Sequence, residues 1–250
     1  MPKHSLSRTV AALFCTVSLV ASAGTATIRT GGSGKAIFEY SETMLRIGDG
    51  GADGYAVVRD GSLFAVTFAN GQPMVIDAGA MMRSMAGAGA ATGMPQMAPA
   101  DLNGEFLGID STGRKETVAG IEGEVYILRT RDDAGQEQSD EVVLSSDKRA
   151  REFFDALYMM LGTVQDAASK QALAQGKEIK AELDKMNAGV LRFGDDMAVT
   201  AIDSDPVDAT RFALPAQPMS LEGLGSMLGN MGNSASPPPA PLPPAMPRKP

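Results

Sequence analysis

Residues 145–162 read SSDKRAREFFDALYMMLG, and the pattern is helical. Phe153, Leu157, Met160, Leu161 and Val164 recur at the spacing of one helix face, with Phe154 and Tyr158 widening the stripe. Lys148, Arg149, Arg151 and Asp155 stay polar. Ser145 and Ser146 suit the N-cap and Asp147 the first turn, where backbone N–H groups lack partners. Strand and hairpin signals flank the stretch on both sides. It is therefore expected to be the helix that covers a sheet, in an α+β fold with an antiparallel β-sheet packed on one or two helices.

Upstream, apolar runs alternate with turn residues. Ala36 to Ile47 (AIFEYSETMLRI) reads as strand, after a small, polar lead-in over Thr25–Gly34. Tyr55–Arg59 and Leu63–Ala69 flank Asp60-Gly61, and Asn70-Gly71 then leads to Met74–Ile76. Both dipeptides tolerate the positive φ angles that two-residue hairpin turns require. Positions 78–100 form a Met-, Ala- and Gly-rich insertion whose first half is expected to be a short helix. Leu102–Ile109, Lys115–Ala119, Glu124–Arg131 and Glu141–Leu144 read as further strands, with Gly120 and Gly123 in a connecting loop.

Downstream, Gly162 is expected to end the helix, and Thr163 to Asn187 forms a second one with a weaker apolar face (Val164, Ala168, Leu173, Ile179, Leu183, Met186). Asn187-Ala188-Gly189 reads as a Gly C-cap. Val190–Phe193 and Met197–Ile202 return to strand, and Arg211-Phe212-Ala213-Leu214-Pro215 closes the domain. Positions 216–250 are Met/Gly-rich and then Pro-rich, a composition that cannot bury enough apolar surface to order itself.

The first 23 residues read as a signal peptide. Lys3 and Arg8 precede the apolar run Val10–Val20, and Ala21-Ser22-Ala23 fits the small-x-small rule, so cleavage between Ala23 and Gly24 is expected. The organisation is then leader 1–23, domain 24–215 and tail 216–250. The implied location is periplasmic or secreted, in a Gram-negative bacterium. The only Cys (Cys15) and the only His (His4) lie in the leader, and the chain has no Trp. The mature chain thus lacks the residues for a disulfide, a Ser-His-Asp or Cys nucleophile, or a His/Cys zinc site. It keeps 20 basic against 30 acidic side chains, a net charge of −10. Such a balance gives no electrostatic basis for binding nucleic acid or an anionic membrane. Beyond the leader no apolar run is long enough for a membrane span.

Tyr55-Ala56-Val57-Val58-Arg59-Asp60, Gly113-Arg114-Lys115-Glu116-Thr117-Val118-Ala119-Gly120 followed by Val125-Tyr126, and the exit through Phe212-Ala213-Leu214-Pro215 resemble the DUF4412 family of exported bacterial proteins. The resemblance covers roughly Lys35 to Pro215. That family looks like the periplasmic carriers in which a half-barrel wraps helices on its concave face, the lipoprotein-localisation factors LolA and LolB among them. The resemblance implies that an acyl chain or apolar peptide is held between sheet and helix. It transfers no functional residue, and the Met-rich insertion and Pro-rich tail depart from it.

Three candidate sites follow. Phe153, Phe154, Leu157, Met160 and Leu161 would line an apolar ligand space, although a core stripe explains the same pattern. Met81, Met82, Met85, Met94 and Met97 offer soft thioether ligands for Cu(I), with a flexible apolar surface or compositional drift as the simpler explanation. Asp49 and Asp53 would hold Ca²⁺ through oxygen ligands, with a plain hairpin loop as the simpler explanation. Asp132-Asp133 and Asp195-Asp196 are adjacent pairs whose side chains diverge, so neither is a carboxylate dyad. The expected function is a non-enzymatic, cofactor-free carrier for an apolar small molecule or lipid. An envelope interaction protein using the Met-rich loop or Pro-rich tail is second, and a Cu(I)-binding chaperone third.

Overall fold

The computed structural model describes residues 23–31, 34–50, 54–87, 104–132, 134–163 and 170–219. The strands are β1 (Ala23–Thr30), β2 (Gly34–Ser41), β3 (Leu45–Gly48), β4 (Gly54–Arg59), β5 (Ser62–Ala69), β6 (Gln72–Asp77), β7 (Gly104–Val118), β8 (Ile121–Asp132), β9 (Glu137–Ser145), β10 (Gly189–Phe193) and β11 (Met197–Asp203). The helices are α1 (Ala78–Gly87), α2 (Lys148–Thr163) and α3 (Lys170–Lys185). No described helix is long and apolar enough to cross a membrane.

Among the described residues, all eleven strands belong to one open antiparallel sheet, in the order β6-β5-β4-β3-β2-β1-β11-β10-β9-β8-β7. The chain lays down β1 to β6 as successive neighbours, then starts again at the opposite edge with β7. It works inward until β11 pairs with β1. The turns follow their chemistry: Asp60 and Gly61 (φ 51° and 70°) and Asn70 and Gly71 (53° and 76°) all take positive φ.

Several expectations need correction. The supposed lead-in is β1, a central strand bonded to β2 on one side and β11 on the other. Its small residues reflect crowding, with Gly24, Ala26 and Ile28 buried and Thr25 and Thr27 turned the other way. Ala36–Ile47 is two strands, because Ser41 N–H donates to the Met44 carbonyl (2.8 Å) and reverses the chain. Within the described residues, positions 104–109 and 115–118 belong to one long strand, β7, whose register shifts between Phe106 and Gly108 and again between Ser111 and Lys115. Gly123 lies inside β8 rather than in a loop. A Cβ there would sit 2.6 Å from Val143 Cγ1, so close strand packing requires the glycine. The β7–β8 turn is instead Ala119-Gly120, at φ 51° and 75°.

Both helices also differ at their ends. Ser145 remains in β9, its hydroxyl donating to the Glu122 carbonyl (2.7 Å), and the carboxylate of Asp147 accepts from Arg149 N–H (2.8 Å) as the cap. Gly162 does not end α2, which runs to Thr163. At the end of α3, Asn187 takes the left-handed conformation (φ 52°), and Ala188 N–H donates to the Leu183 carbonyl (2.9 Å). Gly189 is free of that duty and starts β10. Its missing side chain lets strand meet helix, since a Cβ would lie 2.2 Å from the Ala150 carbonyl oxygen.

That contact marks where the sheet parts. β10 and β11 pair only beside their turn, at Arg192↔Ala198 and Phe193↔Met197. Beyond it they separate, and α2 packs against β10, β11, β1 and β2. Register shows that α2 and α3 cover one face. Phe38 and Ala26 share a side with Ile28 and Thr30, and Thr30↔Met197↔Phe193↔Val142↔Tyr126 carries that side across the ladder. Phe153 of α2 meets Phe38, while Leu183 and Ile179 of α3 pack with Val142 and Tyr126.

The opposite face carries Glu39, Arg46 and Val57 in register, and the C-terminal segment closes it. A short 3-10 helix, Ala209–Phe212, is capped by Asp208 and lies against β3 and β4 with Phe212 fully buried. Arg211 grips Glu39 with two nitrogens at 2.8 Å. The ordered domain does not stop at Pro215, as the composition implied. Met219 N–H donates to the Val75 carbonyl (2.8 Å), forming a parallel bridge on the edge strand β6.

Candidate functional site

The site is built on α2. Asp147 caps the helix and also binds the Arg149 guanidinium (2.8 Å), which holds its carboxyl below the usual carboxylate range. Ala150, Phe153 and Ala156 form the fully buried line of the helix. The two alanines allow close approach to the sheet, and Phe153 fills the space between them. Its ring meets Phe38 edge-on at 5.4 Å and Tyr40 at 6.1 Å. Phe153 is thus solid core.

The other four residues assigned to a ligand space behave differently. Leu157 and Met160 pack at the margin of the Phe153 cluster, joined by Met159, and all three are only half-buried. Phe154 turns to a second cluster with Leu128, Val142, Leu144, Val190 and Leu183, and Leu161 is half-buried outside both clusters. The helix therefore has a sealed N-terminal half and an incompletely covered apolar C-terminal half. Lys180 borders this ledge, paired with Asp155 (3.2 Å) and with its ammonium 5.6 Å from the centre of the Tyr158 ring. Burial alone would lower the Lys180 pKa, but the Asp184 and Asp155 carboxylates outweigh it and the net direction is upward.

At the sealed end lies a polar cluster that sequence reasoning missed. Tyr40 is fully buried and its hydroxyl has no hydrogen-bond partner among the described residues. Burial pushes its pKa up, the Glu152 and Asp203 carboxylates push it further, and Arg149 acts the other way. Oε2 of Glu152 is buried and equally unpartnered. Directly across β2 from Tyr40 stands Gly24, where a Cβ would lie 2.7 Å from the phenol oxygen.

Gln175 on α3 is the second missed group. It is 1% exposed, and among the described residues neither its amide oxygen nor its nitrogen has a partner. The signal was legible, because Gln175 precedes Ile179 by one helical turn and Leu183 by two, on the buried face.

The alternative sites lie partly outside the described residues. Met81 and Met82 lie half-buried on α1 and Met85 is on the same helix, while Met94 and Met97 fall outside the described residues. Asp53 and Asp133 fall outside them too. Asp132 shapes its own turn, accepting from Ala134 N–H (2.9 Å) and Gln136 N–H (2.8 Å), and Asp195 and Asp196 are exposed in the β10–β11 turn. Among the described residues no group of three or more His, Cys, Asp or Glu is arranged to hold a metal ion. Ala23 and Gly24, the expected cleavage pair, both lie within β1. Set against protein-family models, curated proteins and solved structures, the chain matches none of them.

Proposed function

We propose that the protein is an exported, non-enzymatic carrier that holds an acyl chain or a lipidated peptide between α2 and the sheet. One observation carries this reading. The apolar band Leu157, Met159, Met160 and Leu161 stays half-buried although its helix is docked on an eleven-stranded sheet. Full burial of such a side chain contributes about 1.5–3 kcal/mol. A fold that leaves part of this unrealised at four positions within five residues leaves surface that an apolar ligand would cover. The half-barrel described by the resemblance to the DUF4412 family and to LolA and LolB is in line with that arrangement. Processing between Ala23 and Gly24 and delivery to the periplasm belong to the same proposal.

Native mass spectrometry of protein purified from the periplasm tests the reading. A co-purified lipid or acylated peptide is the expected result. Its absence, with no uptake of a fluorescent fatty acid by the delipidated protein, would overturn the carrier. An envelope interaction protein is the second reading, favoured by the way Met219 extends the edge strand β6 through a main-chain bond to Val75.

A further inference from the structure

We propose that removal of the leader completes the fold: the new α-ammonium of Gly24 becomes the cationic partner of Tyr40 and Glu152 at the end of β1. The inference rests on the processing proposed above.

Gly24 is buried and faces Tyr40 directly across the β1–β2 ladder, while the next residue, Thr25, faces Asp203 across β1–β11. The Cβ position of Gly24 lies 2.7 Å from the Tyr40 hydroxyl and 2.3 Å from the Asp203 carbonyl oxygen. One carbon–carbon bond of about 1.5 Å separates that position from Cα, so the backbone of Gly24 stands within about 4 Å of both oxygens. The amine nitrogen is one bond further.

The cations near this point are engaged with other atoms. The unpartnered Tyr40 hydroxyl comes from β2, the unpartnered Glu152 Oε2 from α2, and the Asp203 carboxylate from β11. Arg149 of α2 is the positive group that reaches Tyr40, but its guanidinium is already bound to Asp147 through two nitrogens. Lys148 pairs with the other end of the Glu152 carboxylate, at Oε1 (3.2 Å), and leaves Oε2 open. Buried polar atoms without partners are rare because each forfeits its bonds to water. Inside the precursor the Gly24 nitrogen is a neutral amide with a single N–H. Hydrolysis of the Ala23–Gly24 peptide bond consumes one water and turns it into a charged group with three donors. A side chain at this position has no room, which accounts for glycine as the first mature residue.

The test compares two forms of the mature chain, one beginning at Gly24 and one beginning at Ala23, released from fusions by a protease that leaves the chosen residue first. The extra residue displaces the amine by about 3.4 Å along the strand. At pH 6.5 the Gly24 form is expected to melt at least about 3 °C higher. An ammonium that gains partners on folding has its pKa raised above the unfolded value of about 7.7–8.0. Its stabilisation is therefore full below that pH and disappears as pH rises through the folded pKa, so the gap closes towards pH 9.5. Glu152→Gln is expected to shrink the gap by half or more. Equal melting temperatures at pH 6.5, a gap that ignores pH, or one unchanged by Glu152→Gln would each overturn the proposal. So would a periplasmic mature chain whose mass shows another first residue. That last outcome leaves the carrier reading standing, because ligand uptake is measured separately.

Discussion

Arg192 on β10 holds Glu116 on β7 through two nitrogens, each 2.8 Å from a carboxylate oxygen, although β9 and β8 lie between them in the sheet. Flat strands at about 4.8 Å spacing would place β7 and β10 roughly 14 Å apart. The sheet curls at this end, which shortens the span. In keeping with that, β7 and β11, four places apart, also approach within 8 Å. Glu141 of β9 joins the pair, at 3.4 Å from Arg192 and in contact with Arg114.

This clamp sets an acid limit. Hydrogen bonding to Arg192 holds the Glu116 carboxyl below its ordinary value of 4.5, outweighing partial burial. A depressed folded pKa adds stability that is present above the unfolded value and lost as pH falls through the folded one. Arg192→Met should cost about 1 kcal/mol at pH 7, in the range for partly exposed pairs. Urea titrations at pH 7 and pH 3.5 check this: the cost of the variant should shrink at the lower pH. A penalty that is the same at both would mean that Arg192 acts through packing alone.

Phe153 and Leu157, one helical turn apart, should respond differently to truncation. Phe153→Ala empties a sealed core and should cost about 3–5 kcal/mol. Leu157→Ala, on the half-covered ledge, should cost nearer 1 kcal/mol. Leu157→Trp should be tolerated and reduce uptake of a fluorescent fatty acid, whereas in a closed core it would destabilise by overpacking. Denaturation midpoints with a binding titration decide the matter, and a large alanine penalty at Leu157 would remove the ledge.

Gln175→Leu should stabilise the domain by about 1–2 kcal/mol. The substitution keeps the approximate volume and removes two buried groups that have no partner. Loss of stability in chemical denaturation would show that the amide has a partner in solution, such as an ordered water.

The C-terminal segment divides at Phe212. Phe212→Ala should cost about 3–5 kcal/mol, because the ring is fully buried against the outer face. Ending the chain at Ala216 removes the bond from Met219 to Val75 and should cost only about 0.5–1.5 kcal/mol. Melting curves of the two variants separate these effects, and a larger loss on truncation would make the tail an integral strand.

Local chemistry made much of this protein readable from its residues. Asp60-Gly61 and Asn70-Gly71 prescribe their turns because few other pairs accept positive φ, and the stripe through Phe153 and Leu157 announces α2 because helix periodicity is a property of neighbouring positions. The tertiary structure alone decided that the plain segment after Ala23 is a central strand, since small residues become informative only when Tyr40 and Asp203 crowd against them. It also decided that Phe153 is sealed while Leu157 is not, and that Arg192 meets Glu116, 76 residues away. Burial and ion pairing depend on which distant strands arrive at a place, and no local pattern records that.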